Sequence, residues 1–263
     1  MDEVSRWAEA EENVRAVVVT GSVARGEHDP ISDIDVELYL RDTNRLLTRD
    51  AWYHRFGDVL VVEALENPGW VPTRLVYYVD AKIDFAIIDA ASLPGTTYRG
   101  PYRVVVDKDG LARDLAVDDD ATKPPAAEFF ETLNQFWAEA LMCARALAKS
   151  DVVPAMLRSS NANYHLRRMV EWDHKARYGW SYRTYYLGKR LRTWADDDIG
   201  DALLRCYPRA DLDEISVALQ AAADLFAALA TRVGAALGVP PFDHGRVRSE
   251  LQRFIAVRRT SGQ

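Results

Sequence analysis

The chain has 263 residues, 48% hydrophobic and 28% charged, with a formal net charge of −7. That composition excludes a disordered chain or a fibrous repeat and leaves room for one large or two modest cores. The charge is uneven: residues 1–120 hold 24 acidic against 13 basic side chains, and residues 121–263 hold 16 against 20. An acidic first half disfavours general nucleic-acid binding there, because phosphate needs cations, and suits metal ions or a cationic substrate.

In chain order, the acidic Met1–Glu12 stretch does not read as a signal or transit peptide. Ser5 to Asn13 has a short helical pattern, and Ala16-Val17-Val18-Val19-Thr20 is a β-branched run of strand length. Gly21-Ser22 ends that strand, and Arg25-Gly26-Glu27-His28-Asp29-Pro30 reads as loop. Asp33 to Leu40 alternates polar and apolar, a strand with one face buried. Asp58–Ala64, Arg74–Val79, Lys82–Ile88 and Arg103–Asp107 are further strand candidates.

The character changes after Asp118-Asp119-Asp120 and Pro124-Pro125, which predicts a domain boundary: 1–121, then 122–263. Beyond it Phe129, Leu133, Phe136, Trp137, Ala140, Leu141, Ala144 and Leu147 recur at helical spacing. Pro154 is placed to open a helix running to Tyr178, with Gly179 after its end. Leu212–Leu237 and His244–Arg258 are the last helices. The fold class is α+β: a mixed sheet with helices, then an α-helical bundle. The longest strictly apolar run, Leu225–Ala230, is far shorter than the ~20 residues of a membrane span, so none is expected. Cys143 and Cys206 form neither a CxxC pair nor a disulfide framework, so a cytoplasmic location is expected.

The chemistry concentrates in Gly21-Ser22 followed by Asp33-Ile34-Asp35. On a strand, Asp33 and Asp35 project from one face. Two carboxylates that close repel unless a cation lies between them, and Mg²⁺ prefers one or two carboxylates plus phosphate oxygens and water. Gly21 lets backbone approach a phosphate, and Ser22 adds a hydroxyl donor. Asp84, a lone acid within an apolar strand, is the candidate third carboxylate. Together these residues suit phosphoryl or nucleotidyl transfer. Glu37 shares their face as a supporting acid or a solvent-side residue. Arg25 either reaches a phosphate or is an ordinary surface arginine.

This pattern resembles the DNA polymerase β-type nucleotidyltransferase superfamily. Within it, Trp52-Tyr53-His54-Arg55-Phe56-Gly57, Lys82-Ile83-Asp84, Val106-Asp107-Lys108-Asp109, Asn134-Gln135-Phe136-Trp137, Leu166-Arg167-Arg168-Met169-Val170-Glu171-Trp172 and Gly188-Lys189 follow the order found in aminoglycoside 6-adenylyltransferases. The resemblance covers residues 5–235. It implies a polymerase β-like catalytic domain, ATP as co-substrate, two Mg²⁺ ions on Asp33, Asp35 and Asp84, and AMP transfer to a streptomycin-like acceptor. Lys189 is then expected on the triphosphate, and Glu171, Trp172 and Asp173 beside the acceptor. Trp172 also reads as bundle core, and Trp180 as core or a stacking surface. The family usually carries an acid ahead of the Leu166–Trp172 block, and Ala155–Tyr164 has none. Asp84 is therefore the expected base. Arg158 to Arg192 holds nine Lys or Arg and two acids, a cationic wall for phosphate or a solvated helix face. It keeps a tRNA acceptor open beside a lincosamide or a protein side chain. A silent nucleotide-binding module is the non-enzymatic reading, and the residues leave monomer or homodimer open. The five histidines have no metal-ligand spacing and read as structural.

Overall fold

A computed structural model describes residues 1–49, 51–118 and 123–261. The chain divides into two compact units, Met1–Asp119 and Asp120–Gln263. The boundary expected between residues 121 and 122 lies outside the described residues.

The first unit runs α1 (Asp2–Ala10), β1 (Val14–Val19), a one-turn helix α2 (Gly21–Ala24), β2 (Ile34–Leu40), α3 (Asn44–Leu47), β3 (Val59–Leu65), β4 (Thr73–Tyr78), β5 (Lys82–Asp89), β6 (Thr97–Tyr98), β7 (Arg103–Asp107) and β8 (Ala116–Val117). Six strands form one mixed sheet in the order β3-β4-β5-β2-β1-β7, with β2 and β5 parallel and the other neighbours antiparallel. The period-two pattern sorts the side chains onto two faces. One face carries Val36, Leu38, Val76, Ile83, Phe85 and Ile87 against Val4, Trp7, Trp52 and Phe56. Trp52 packs edge-on to Phe85 at 4.9 Å between ring centroids. The other face has a smaller core of Ala16, Val18, Tyr39, Ala90, Leu93 and Tyr98, and its remaining residues belong to the candidate site.

Gly21, expected to end the first strand, follows β1 and begins a helical turn with φ +65°, and β2 starts one residue later than expected, at Ile34. The β6–β8 ribbon, two residues on each side, carries no periodicity long enough to predict.

The second unit holds α4 (Ala126–Ala148), α5 (Val152–Tyr178), α6 (Leu191–Trp194), α7 (Asp197–Leu204), α8 (Leu212–Leu237) and α9 (His244–Ser261). The apolar stripe of α4 meets α5 and α8 in one core, with Phe136 stacked on Phe226 at 3.7 Å between centroids. Pro154 falls in the first turn of α5, where its missing N–H costs no intrahelical bond. The Asp211 side chain caps α8 by accepting from the N–H groups of Asp213 and Glu214, and Gly238 at φ +69° ends it. By length and composition α8 could cross a membrane, although no span was expected; 56% of its apolar window is buried within the unit. Burial on that scale is how the core helix of a bundle hides its apolar surface.

Candidate active site

Parallel register sets Asp35 of β2 directly opposite Asp84 of β5, on the face away from Phe85. Asp33 precedes the strand by one residue. Lys82 lies two residues before Asp84 and shares its face. Its Nζ is 2.9 Å from Asp33 Oδ2, donates to Asp84 Oδ2 at 2.8 Å and lies 2.7 Å from Asp84 Oδ1. One ammonium thus neutralises two of the three acids. Burial opposes the lysine's charge, but the bonds from Asp84 and Asp33 outweigh it and hold its pKa above the ordinary lysine value.

The carboxyls of Asp35 and Asp84 both titrate above the usual aspartate value. Burial is the first cause for each; repulsion from Asp84 and Asp33 adds to it for Asp35. Asp84 Oδ1 is buried, and the Lys82 ammonium at 2.7 Å is the charge that faces it, so the carboxylate's desolvation is offset by that ion pair.

Gly21 lies directly against Asp35. Thr20 N–H donates to the Asp35 carbonyl at 3.0 Å, tying the end of β1 to β2. A Cβ on Gly21 would overlap Asp35 Oδ2. Only glycine combines that approach with a left-handed φ. Ser22 follows in the same turn. Arg25 ends the turn, close enough to Asp35 to favour its ionised form, and pairs with Glu27 at 3.3 Å.

These hard oxygen donors fit Mg²⁺. Among the described residues no set of three His, Cys, Asp or Glu is arranged as a ready cage for an ion. Glu37 shares the face, but the hydroxyls of Tyr39 (2.9 Å) and Tyr98 (2.7 Å) both donate to its Oε2. It anchors the smaller core rather than facing open solvent.

In the second unit, Glu171 accepts from Arg167 and is largely buried, and that burial raises its carboxyl above the ordinary value. Trp172 lies in the bundle core with the Arg168 guanidinium 4.8 Å from its ring. Asp173, expected beside the acceptor, is fully buried. Its oxygens accept from Arg177 (3.0 Å) and Arg232 (2.8 Å), so the carboxylate serves its own bundle. The basic Arg158–Arg192 segment is mostly paired in the same way: Arg158 with Glu139, Arg168 with Glu128, Arg177 with Asp196 and Arg192 with Asp201. Lys189 is exposed; its carbonyl accepts from Trp194 Nε1 at 3.0 Å, and its ammonium has no hydrogen-bond or ion-pair partner among the described residues. It sits between Gly188 and Arg190, both at positive φ, as is Leu187. Trp180 takes the Lys123 ammonium at 5.8 Å. Sequence reasoning missed Lys82; the same i, i+2 rule that pairs Asp33 with Asp35 would have paired it with Asp84.

A carboxylate row at the mouth of a glycine turn on a mixed sheet defines a nucleotidyltransferase-type centre. The chain belongs to the streptomycin adenylyltransferase family, whose model matches residues 1–249. It is 25% identical over 186 residues to an aminoglycoside 6-adenylyltransferase of Staphylococcus aureus, covering 64% of this chain and 66% of that protein, just under two thirds of it. It is 22% identical over 264 residues to the aminoglycoside 6-adenylyltransferase of Bacillus subtilis (strain 168), covering 93% of each. A crystal structure of an aminoglycoside 6-adenyltransferase from Bacillus subtilis aligns with TM-score 0.47 at 17% identity, over 98% of this chain and 96% of that one.

Proposed function

We propose that the chain moves AMP from ATP to a hydroxyl of a streptomycin-like aminoglycoside, releasing pyrophosphate, with two Mg²⁺ ions at the acids. The observation that carries this reading is the register that puts Asp35 opposite Asp84, beside a turn too tight for a Cβ. Family membership and the names of the relatives support the acceptor class.

Asp33 and Asp35 would hold the metal, with Asp84 as the third donor. Bound there, Mg²⁺ supplies charge neutralisation at the triphosphate and lowers the pKa of the acceptor hydroxyl. Gly21 and Ser22 offer backbone N–H groups and a hydroxyl to phosphate. The acceptor oxygen bonds to the α-phosphorus as the bond from that phosphorus to the bridging oxygen breaks, and pyrophosphate leaves with the electron pair. Asp84 takes the acceptor's proton. Its place opposite Asp35 and its raised pKa suit a general base. The family resemblance assigns Lys189 to the phosphates and Glu171 to a cation of the acceptor.

Pyrophosphate release should be read from a panel of aminoglycosides and lincosamides against ATP, GTP, CTP and UTP. Release with streptomycin and ATP is expected. Release only with a lincosamide moves the acceptor, and ATP binding without release from any pair makes the chain a silent nucleotide-binding module.

A further inference from the structure

The catalytic face of the sheet continues past Asp84 to the free edge. Asp84 pairs with Leu75 of β4, and Leu75 pairs with Glu63 of β3. The next row runs Lys82, Tyr77, Val61. Cross-strand partners share a face, so Leu75, Tyr77, Val61 and Glu63 extend the surface that carries Asp35 and Asp84. The opposite face holds Arg74, Val76 and Tyr78, all buried.

We infer that this outer stretch seats the acceptor: Glu63 receives a guanidinium or ammonium group, and Leu75 and Tyr77 carry the apolar body of the ring that bears it. The inference rests on the transfer reading above and names where its acceptor binds. Three observations support it. Glu63 is exposed, and its carboxylate has no hydrogen-bond or ion-pair partner among the described residues. Tyr77 is 38% exposed and Val61 59% exposed, apolar surface beside an acid that faces open solvent. The Tyr77 ring already attracts a cation, since Lys82 Nζ lies 5.4 Å from its centroid. Two strand spacings, about 10 Å, separate Glu63 from Asp84. A substituted ring can bridge that span with its hydroxyl at Asp84 and a cationic substituent at Glu63. Edge position matters as well, because β3 is the outermost strand of the sheet among the described residues.

The test is equilibrium binding of streptomycin, by calorimetry at fixed ionic strength, to the full chain and three variants, with ATP binding and pyrophosphate release measured beside it. Glu63→Gln should raise the streptomycin Kd about tenfold to a hundredfold, the range for a lost charge-assisted contact. Tyr77→Leu should raise it about threefold to tenfold. Glu9→Gln, which removes the same charge from α1, should leave it unchanged, and ATP affinity should hold in all three. A Glu63→Gln Kd within about twofold of wild type overturns the inference, as does an equal loss in Glu9→Gln. A wild-type chain that binds streptomycin through Glu63 but releases no pyrophosphate keeps this seat and sinks the transfer reading. Normal release with Glu63→Gln indifferent does the reverse. No streptomycin binding by wild type overturns both.

Discussion

Asp35 and Asp84 face each other across the parallel β2–β5 pair, two carboxylates in register with Asp33 close by. Desolvation pushes both pKa values up, with repulsion from Asp84 and Asp33 adding to it for Asp35, so with Lys82 as the one cation beside three acids the ionised arrangement costs stability at neutral pH. Asp35→Asn removes one charge and keeps the shape. In chelator, its melting temperature should rise by about 2 °C or more, and turnover should vanish. Asp33→Asn should also abolish turnover. Near-wild-type activity in either variant would rule out these two as the metal pair, and circular dichroism would show that the fold had survived.

Gly21→Ala tests the turn. The new Cβ would overlap Asp35 Oδ2 at a positive φ. The conformation alone costs about 1–2 kcal/mol, and Asp35 must move as well. Activity should fall at least tenfold while ATP binding weakens. An alanine variant with wild-type kcat would mean that the close approach has no part in the chemistry.

The base is decided between two buried acids. Asp84→Asn should cut the single-turnover rate and largely keep ATP affinity. Glu171→Gln should mainly raise the acceptor KM, the mark of lost uniform binding. Glu171 also titrates above the ordinary value because it is buried, so it has the chemistry to compete. If Glu171→Gln stops the chemical step and Asp84→Asn does not, the proton goes to the second unit.

Much of this site is legible in sequence because strand geometry is periodic. Asp33, Asp35 and Asp84 stand out as acids in strands, and Gly21-Ser22 as the break before them. Which strands adjoin is not periodic information. That Glu63 lies two strands from Asp84 follows from the order β3-β4-β5-β2, which only long-range pairing sets. Asp173 shows the converse. A sequence presents it as an acid near basic residues, but its helical position turns it inward to Arg232, 59 residues away. The α6 and α7 helices are too short for a hydrophobic period to emerge.

The Lys189 ammonium is exposed and has no hydrogen-bond or ion-pair partner among the described residues, on a loop with three left-handed residues around it. Non-glycine residues at positive φ each cost on the order of 1–2 kcal/mol, a strain usually kept where function needs the shape. Lys189→Ala should raise the ATP Kd about tenfold or more and spare the acceptor Kd. An unchanged ATP Kd would remove Lys189 from the phosphate site.

The stability of the second unit should depend on pH through His244. Its Nδ1 accepts from Trp137 Nε1 at 3.2 Å, so the neutral ring carries its proton on Nε2. Burial first, then Arg248, push its pKa below the ordinary 6.5, against an opposing pull from Asp243. His165 is lowered too, chiefly by burial. An unfolded histidine takes a proton near 6.5 while these folded rings resist. Below that pH the unfolded chain therefore binds more protons, and acid favours unfolding. The histidine contribution is full above pH 6.5 and is lost as pH falls through it. Between pH 7.5 and 5 the melting temperature should drop, and His244→Gln should flatten part of that slope. The variant also loses the Trp137 contact, so its melting temperature at pH 7.5 should sit below wild type. Parallel curves for wild type and His244→Gln across that range would place the acid sensitivity elsewhere.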